Sequence, residues 1–446
     1  MSPVQTLIQR RQKLAASLNN ETILLLAAQP APRNYTDNTY PFHQDTTFRY
    51  YTQLDTPGAA LLFRNDGTQE LFLPPQNPDD IIWTGPKPAN LQLAKNAGFD
   101  AVNSTENLPE ALKNTENIHY LPPHRAENTI NLANLLKIDI ENIHTRASEP
   151  LQRAVVEQRI TKDPDEIRET EEAIELTAKM LQYAQNAIKP GIYESDVYAE
   201  LIKPANARQR QLAFPAIVTV NGETLHKESM HNILKPGSLV LIDTGVESKQ
   251  GYCSDITRTY PVTGRFTQKQ KDIYDAVLNV QIAAIQFSKQ KNITNRQLHD
   301  HAAKTLAQNL VLLGLMKGNI DEIVQTAAYA LFMPHGIGHL LGLDVHDMEN
   351  FGDIAGYDHG IKRSTQFGPS ALRLAKTLKP GYIITIEPGI YFIPELIKKW
   401  ENQNLHRNLI CYDKLEQYMD FGGIRIEDDI LITETSSRVL GPHIPK

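Results

Sequence analysis

Two cysteines, Cys253 and Cys411, among 446 residues leave no disulfide framework and no cysteine-rich zinc site, a usage that fits a reducing compartment. No apolar run approaches the ~20 residues needed to cross a bilayer. The longest early run, residues 23–28, is too short for the core of a signal peptide. The expected location is therefore cytoplasmic, with no membrane partner. A basic excess is also missing: 45 Lys and Arg stand against 52 Asp and Glu, a formal net charge of −7. With no long Lys/Arg run either, this argues against a nucleic-acid partner. What is present is 41% hydrophobic and 22% charged, the make-up of a folded chain too long for one ordinary core.

The chain is organised around a repeat. LKPGSLVLIDTG (residues 234–245) returns as LKPGYIITIEPG (residues 378–389). In each copy Pro-Gly marks a turn, an apolar run of strand length follows, and a carboxylate precedes a glycine. The carboxylates are Asp243 and Glu387. Either the copies are two unrelated strand starts, or they belong to two related half-domains whose matching strands bring both acids near one pseudo-twofold axis.

Before the repeat, residues 3–20 predict a helix with Leu7, Ile8, Leu14 and Leu18 inward and Arg10, Arg11 and Lys13 outward. A strand over 22–28 follows, then an aromatic and polar stretch (34–55) read as a binding surface or interdomain packing. Strands over 59–64 and 69–73, turned by Asn65-Asp66-Gly67, predict a hairpin. Alternating strands and helices up to about residue 150 complete a small α/β domain, 1–150. A second domain, 151–446, contains an amphipathic helix over 165–188, acidic in its first turns and stopped by Pro190-Gly191. Further helices are expected near 194–203, 267–290, 294–315 and 320–331, and strands near 216–221, 238–243, 252–262, 382–387 and 423–433. The fold class is α+β.

Residues 252–260 read as a strand returning from the first copy, which sets Asp255 across a hairpin from Asp243. Period-two alternation over 421–432 puts Arg425 and Glu427 on one face, with Glu427 beside Glu387. Each acid alone reads as a solvated strand end. Four carboxylates converging in an apolar sheet are costly unless a cation neutralises them. Two divalent ions sharing carboxylates would balance the charge and activate a water between them. MPHGIGHLLGLDVHD (residues 333–347) holds His335, His339 and His346. His335 and His339 have the i, i+4 spacing of a zinc-protease helix, but the glutamate of that motif is missing and two glycines favour loop or strand. One ligand plus supporting histidines is the better reading. His226, in VNGETLH (residues 220–226), is a fourth candidate.

Asp243, Asp255, His339, Glu387 and Glu427, in this order and in these motifs, resemble the dinuclear metallopeptidases of the pita-bread fold. That group includes methionine aminopeptidase, Xaa-Pro aminopeptidase and Xaa-Pro dipeptidase (prolidase). Residues 37–58 and 81–85 resemble the creatinase-like N-terminal domain of the two proline-directed enzymes. The resemblance implies a C-terminal pita-bread catalytic domain with pseudo-twofold symmetry behind a smaller creatinase-like domain. It implies that Asp243 binds one metal, His339 with Glu387 the other, and that Asp255 and Glu427 bridge them. Glu387 would also take a proton from the bridging water. His346 would shuttle a proton or stabilise the tetrahedral intermediate, His226 and His335 would line the substrate pocket, and Arg425 would brace Glu427. Mn²⁺ is the first choice of ion, with Co²⁺ or Zn²⁺ able to substitute.

Within the group, YPFHQDTTFRYY (residues 40–51) and IWTG (residues 82–85) resemble Xaa-Pro aminopeptidase, whereas residues 386–394 also resemble bacterial prolidases. The implied reaction is removal of the first residue from peptides with proline second, by a hydroxide held between the metals, in a homodimer or homotetramer. Prolidase, creatinase and a metal-free binding module on the same fold are the alternatives. Two departures are His43, where relatives often have Arg, and Phe214, near a position where some carry Tyr. Trp83 either helps close the site, from a neighbouring subunit, or is a core or domain-interface tryptophan.

Overall fold

In the computed structural model, which describes residues 3–446, the chain divides between Arg159 and Ile160. The first unit is built on β1 (Ile23–Leu26), β2 (Ala60–Phe63) and β3 (Gln69–Leu73), an antiparallel meander whose second turn carries Gly67 at positive φ, as the Asp-Gly signal requires. The two-residue strand β4 (Asn103–Ser104) joins β3 in parallel. The expected alternation beyond β3 is otherwise helical. Leu24, Leu62, Phe72, Leu112 and Leu132 meet in its core. The aromatic stretch splits: Phe48 and Tyr51 are buried on the helix Thr46–Thr52, capped by Asp45, whereas Tyr35 and Tyr40 are exposed. Trp83 is 84% exposed, which excludes the core reading.

Arg11 is not outward. It is buried on the inner face of the helix Pro3–Ser17, four residues after Leu7 and three before Leu14, on the stripe that period 3.6 defines. Its guanidinium donates to Gln69 Oε1 (2.8 Å) and to the carbonyls of Tyr51 and Ala97 (both 2.9 Å), and burial lowers its pKa to about 10. The helix Glu149–Arg159 packs on this first helix and closes the unit, so a division at 150/151 falls inside a helix.

The second unit opens with the helix Pro164–Ala187. Asp163 accepts from the backbone N–H of Asp165 and Glu166 while the Glu166 carboxylate accepts from that of Asp163, a reciprocal cap reinforced by proline at the first position. Two three-stranded antiparallel sheets follow. One has the order β5 (Ile217–Thr219), β6 (Leu239–Thr244), β7 (Ile256–Pro261). The other contains β8 (Ile383–Ile386), β11 (Asp428–Ile432) and β12 (Ser437–Val439), with β11 in the middle. A short pair, β9 (Gly389–Tyr391) with β10 (Gly423–Arg425), lies between β8 and β11 in sequence.

Both copies of the repeat therefore feed strands, β6 and β8, which end at the acids. Each is flanked on both sides: β6 by β5 and β7, and β8 by β11 and the segment around Leu340. The halves join where β7 meets the β10–β11 region. Asp255 N donates to Asp429 Oδ2 (3.0 Å), Glu427 N to Thr257 O (3.1 Å), and Thr259 Oγ1 to Arg425 O (3.1 Å).

Two expectations need correction. Thr257, not Asp255, lies opposite Asp243; Asp255 sits two residues before Thr257, on the same face because side chains alternate with period two. Residues 423–433 are not one strand. Pairing passes from β9 to β8 between Arg425 and Asp428, and Glu427 occupies the break.

Candidate metal centre

Strand ends and one glycine-rich segment bring the predicted side chains together. Asp243 is the penultimate residue of β6, Asp255 directly precedes β7, Glu387 directly follows β8, and Glu427 directly precedes β11. The β8–β11 register carried one rung beyond Asp428 and Ile386 sets Glu427 opposite Glu387, as expected. His339 comes from the HGIGH segment, which is extended rather than helical. Its N–H donates to Thr385 Oγ1 (3.0 Å) and its carbonyl accepts from Thr385 N (3.0 Å). A Cβ on Gly338 would lie 2.0 Å from Thr385 O, so glycine is what allows this segment to lie flat on β8.

Asp255, His339 and Glu427 each present a ligand atom, all within 4.8 Å of one another, and all three residues are buried. His339 Nε2 is 3.4 Å from Asp255 Oδ2 and 3.8 Å from Glu387 Oε1, while Glu387, the more exposed acid, also faces His335 Nδ1 at 3.8 Å. Asp243 pairs through Oδ2 with Arg425 Nη2 at 2.5 Å. Arg425 does not touch Glu427 directly. Its Nε donates to Thr257 Oγ1 (3.2 Å), which donates to Glu427 Oε2 (2.6 Å), and its Nη1 donates to Tyr391 Oη (3.0 Å).

The charge of this cluster is unbalanced without a cation. Burial first, and then the neighbouring carboxylates, push Asp255 and Glu427 well above the ordinary carboxylate range; burial also raises Glu387. Asp243 Oδ1 and Asp255 Oδ1 are buried with no hydrogen-bond partner. Orphaned anionic oxygens around one imidazole are the donor set of a hard or borderline divalent ion, so the residues fit a divalent metal.

The cluster lies at the wall of a cleft of about 730 Å³ that also takes in His226, His335, His346 and Arg373. His346 stacks on His339 with ring centroids 4.0 Å apart, and its Nδ1 is 3.1 Å from Glu349 Oε1. Burial, then His339, lowers His346 to about 4. His335 Nε2 is 2.9 Å from Tyr391 Oη, and burial and Arg425 lower it to about 3. His226 also lines the cleft but is the most exposed of the three, lowered by partial desolvation and by Arg425. His335 and His346 are therefore neutral imidazoles at neutral pH.

The sequence profile of metallopeptidase family M24 matches residues 168–434, and that of the aminopeptidase P N-terminal domain matches residues 7–119. The chain belongs to metallopeptidase family M24. Xaa-Pro aminopeptidase of Haemophilus influenzae is 30% identical across 100% of this chain and 95% of its own length, and that of Escherichia coli is 30% identical across 98% and 94%. Among solved structures, proline aminopeptidase P II of Yersinia pestis superposes with a TM-score of 0.82 at 26% identity, covering 100% of this chain and 97% of that one. Escherichia coli aminopeptidase P with the inhibitor Pro-Leu gives 0.81 at 27% identity, covering 99% and 96%. The pita-bread arrangement and the preceding smaller domain expected from sequence are the fold of this M24 chain.

Several groups around the M24 cleft escaped sequence reading. Arg373 pairs with Glu349, and although burial works against its ionisation, His346 and Arg373 hold Glu349 down at about 2. Tyr391, two residues after the glycine of the second repeat, joins His335 to Arg425. The loop carrying His226 is tied at both ends by Glu194. This fully buried carboxylate accepts from Val220 N (2.8 Å), Asn232 N (3.1 Å) and Asn232 Nδ2 (3.0 Å). Glu194 begins a helix just after Pro190-Gly191, a signal that marks the helix start but not the loop it captures.

Proposed function

We propose that the chain hydrolyses the bond between the first residue and proline in Xaa-Pro-Yaa peptides, using two divalent ions with Mn²⁺ as the first choice. The observation that carries this reading is the buried Asp255–His339–Glu427 cluster, flanked by Asp243 and Glu387, opening into a cleft wide enough for a peptide end. Likeness to Xaa-Pro aminopeptidases over the whole chain, including the first unit, supports it over the prolidase, creatinase and binding-module alternatives. Asp243 would hold one ion, His339 and Glu387 the other, and Asp255 and Glu427 both. Bound there, the ions would acidify a water and polarise the scissile carbonyl.

The remaining work falls to side chains. Proline's nitrogen carries no hydrogen and must gain a proton to leave. Glu387, placed at the cleft beside His335, takes up the proton released by the attacking water and returns it to that nitrogen. His346, with Nδ1 directed at Glu349 and Nε2 left to accept, relays protons; His335, held between Gly336 O and Tyr391 Oη, lines the pocket, while His226 borders the substrate's entry. Arg425 fixes one oxygen of Asp243 and, through Thr257, one of Glu427, leaving the others for metal. Tyr198, Phe214 and Val345 supply an apolar wall for the pyrrolidine ring; Phe214 offers no hydroxyl contact. A cytoplasmic location and a homodimeric or homotetrameric assembly belong to the same proposal, supported by unpaired Cys253 and Cys411 and by exposed Ile81, Ile82 and Trp83.

The test strips the protein of metal, restores Mn²⁺, and compares an Xaa-Pro dipeptide with an Xaa-Pro-Yaa tripeptide. Mn²⁺-dependent release of the first residue from the tripeptide is expected. Cleavage of the dipeptide alone would replace this reading with prolidase, and absence of divalent-ion binding would replace it with the binding module.

A further inference from the structure

Lys162 and Asp347 form an ion pair sealed inside the second unit: Nζ to Oδ2 is 2.8 Å, and each side chain is 1% exposed. Burying two charges is expensive, and an apolar pair of the same volume is often no less stable, so a contribution to stability does not by itself explain why they are there. Their surroundings do.

Lys162 N donates to Gly381 O (2.8 Å), in the Pro-Gly turn that launches β8 toward Glu387. Asp347 follows His346, and its N–H donates to Leu340 O (3.0 Å), the residue after His339. The Asp347 carboxylate fills the space above Gly342, where a Cβ would lie 2.3 Å from Oδ2. Gly342 O in turn accepts from Cys253 N (2.7 Å), two residues before Asp255. One ammonium–carboxylate contact thus joins the approaches to Glu387, His339, His346 and Asp255, which come from segments far apart in the chain.

We propose that Lys162 and Asp347 are a positioning pair: they hold the histidine segment in register with the two acid-bearing strands, and so set ligand geometry without touching metal or substrate. This rests on the metallopeptidase reading above. A directional, buried ionic contact suits the task because it has one good geometry, whereas apolar packing tolerates sliding.

The experiment compares the full-length parent with Lys162→Met and with the double variant Lys162→Met/Asp347→Leu, each stripped of metal and titrated with Mn²⁺. Calorimetric Kd, kcat and KM on an Xaa-Pro-Yaa peptide, and Tm are read for each. Lys162→Met strands a buried carboxylate and is expected to lower Tm. The double variant restores an apolar fit and Tm, yet is expected to keep Mn²⁺ affinity and kcat about 10- to 100-fold below the parent with KM little changed. A double variant whose Mn²⁺ Kd and kcat both return to within about twofold of the parent would show the pair to be merely structural and overturn the proposal. If the parent binds Mn²⁺ but does not cleave the Xaa-Pro-Yaa peptide, the assigned reaction fails while the Kd comparison still decides the positioning role.

Discussion

Asp255, Glu387 and Glu427 hold their protons more tightly folded than unfolded when no cation is present. Above the ordinary carboxylate value of about 4, the metal-free native state therefore binds more protons than the unfolded chain, and these groups cost stability as pH rises. His335 and His346 act in the opposite sense. Their pKa values are lowered in the fold, so they withhold stability as pH falls below the ordinary histidine value and restore it as pH rises. A cation binds only ionised carboxylates and an unprotonated imidazole, so its stabilising effect must grow with pH. The gain in Tm on adding saturating Mn²⁺ is expected to be larger at about pH 8 than at about pH 5. Paired melts with and without a chelator measure this, and an equal gain at both pH values would contradict the raised carboxylates of the metal-free cluster. Asp243 and Glu387 were legible in sequence because they close the strands of a repeat, and Asp255 and Glu427 because they fall in the strand-like runs that follow each copy. Their partners were not: Arg425 meets Asp243 across 182 residues, and no local pattern marks which carboxylate a strand arginine will find.

A glycine-rich segment and an irregular loop shape the cleft more than any regular element. The HGIGH segment was readable as non-helical from its two glycines, and it lies along β8 by virtue of Gly338. The loop between Val220 and Asn232 has no regular strand or helix, so its shape depends on how its ends are tied. Glu194 ties both, through four contacts of one carboxylate. Glu194→Ala is expected to loosen the His226 loop and raise KM for the tripeptide about tenfold while kcat stays within about threefold. It is also expected to cost about 3 kcal/mol of stability, because backbone donors lose a charged acceptor. Steady-state kinetics on this variant decide the point; a fall in kcat with KM unchanged would place Glu194 in the chemistry instead. At this scale strand positions were readable from alternation and turns, but the break at Glu427 was not. A run such as Ile424 to Ile432 is equally compatible with one strand or two, and only the neighbours on either side decide.

All five candidate ligands come from the second unit, at or beside the ends of β6, β7, β8 and β11 and on the segment against β8. Stabilisation by metal should be concentrated where the ligands are anchored. Hydrogen exchange with and without Mn²⁺ is expected to show the largest added protection in β6, β7, β8 and β11, with the β1–β3 meander little changed. Protection spread evenly over both units would mean that the ion acts elsewhere. The expectation of two units rests on aromatic-rich hairpin chemistry giving way to long amphipathic helices. The boundary was placed early because the helix Glu149–Arg159 belongs by packing to the segment before it, and packing partners are not local information.

The sequence alone marked the candidate residues: the repeated turn–strand–acid unit, the glycine-spaced histidines and the scarcity of cysteine are properties of local pattern, and local pattern is readable from a string. Tertiary structure decided how those residues share their work. The β6–β7 register set Thr257, not Asp255, opposite Asp243, the meeting of the halves linked Arg425 to Glu427 through Thr257, and Lys162 found Asp347 across 185 residues. Each depends on which strands meet and in what register, a choice made by burial over the whole molecule.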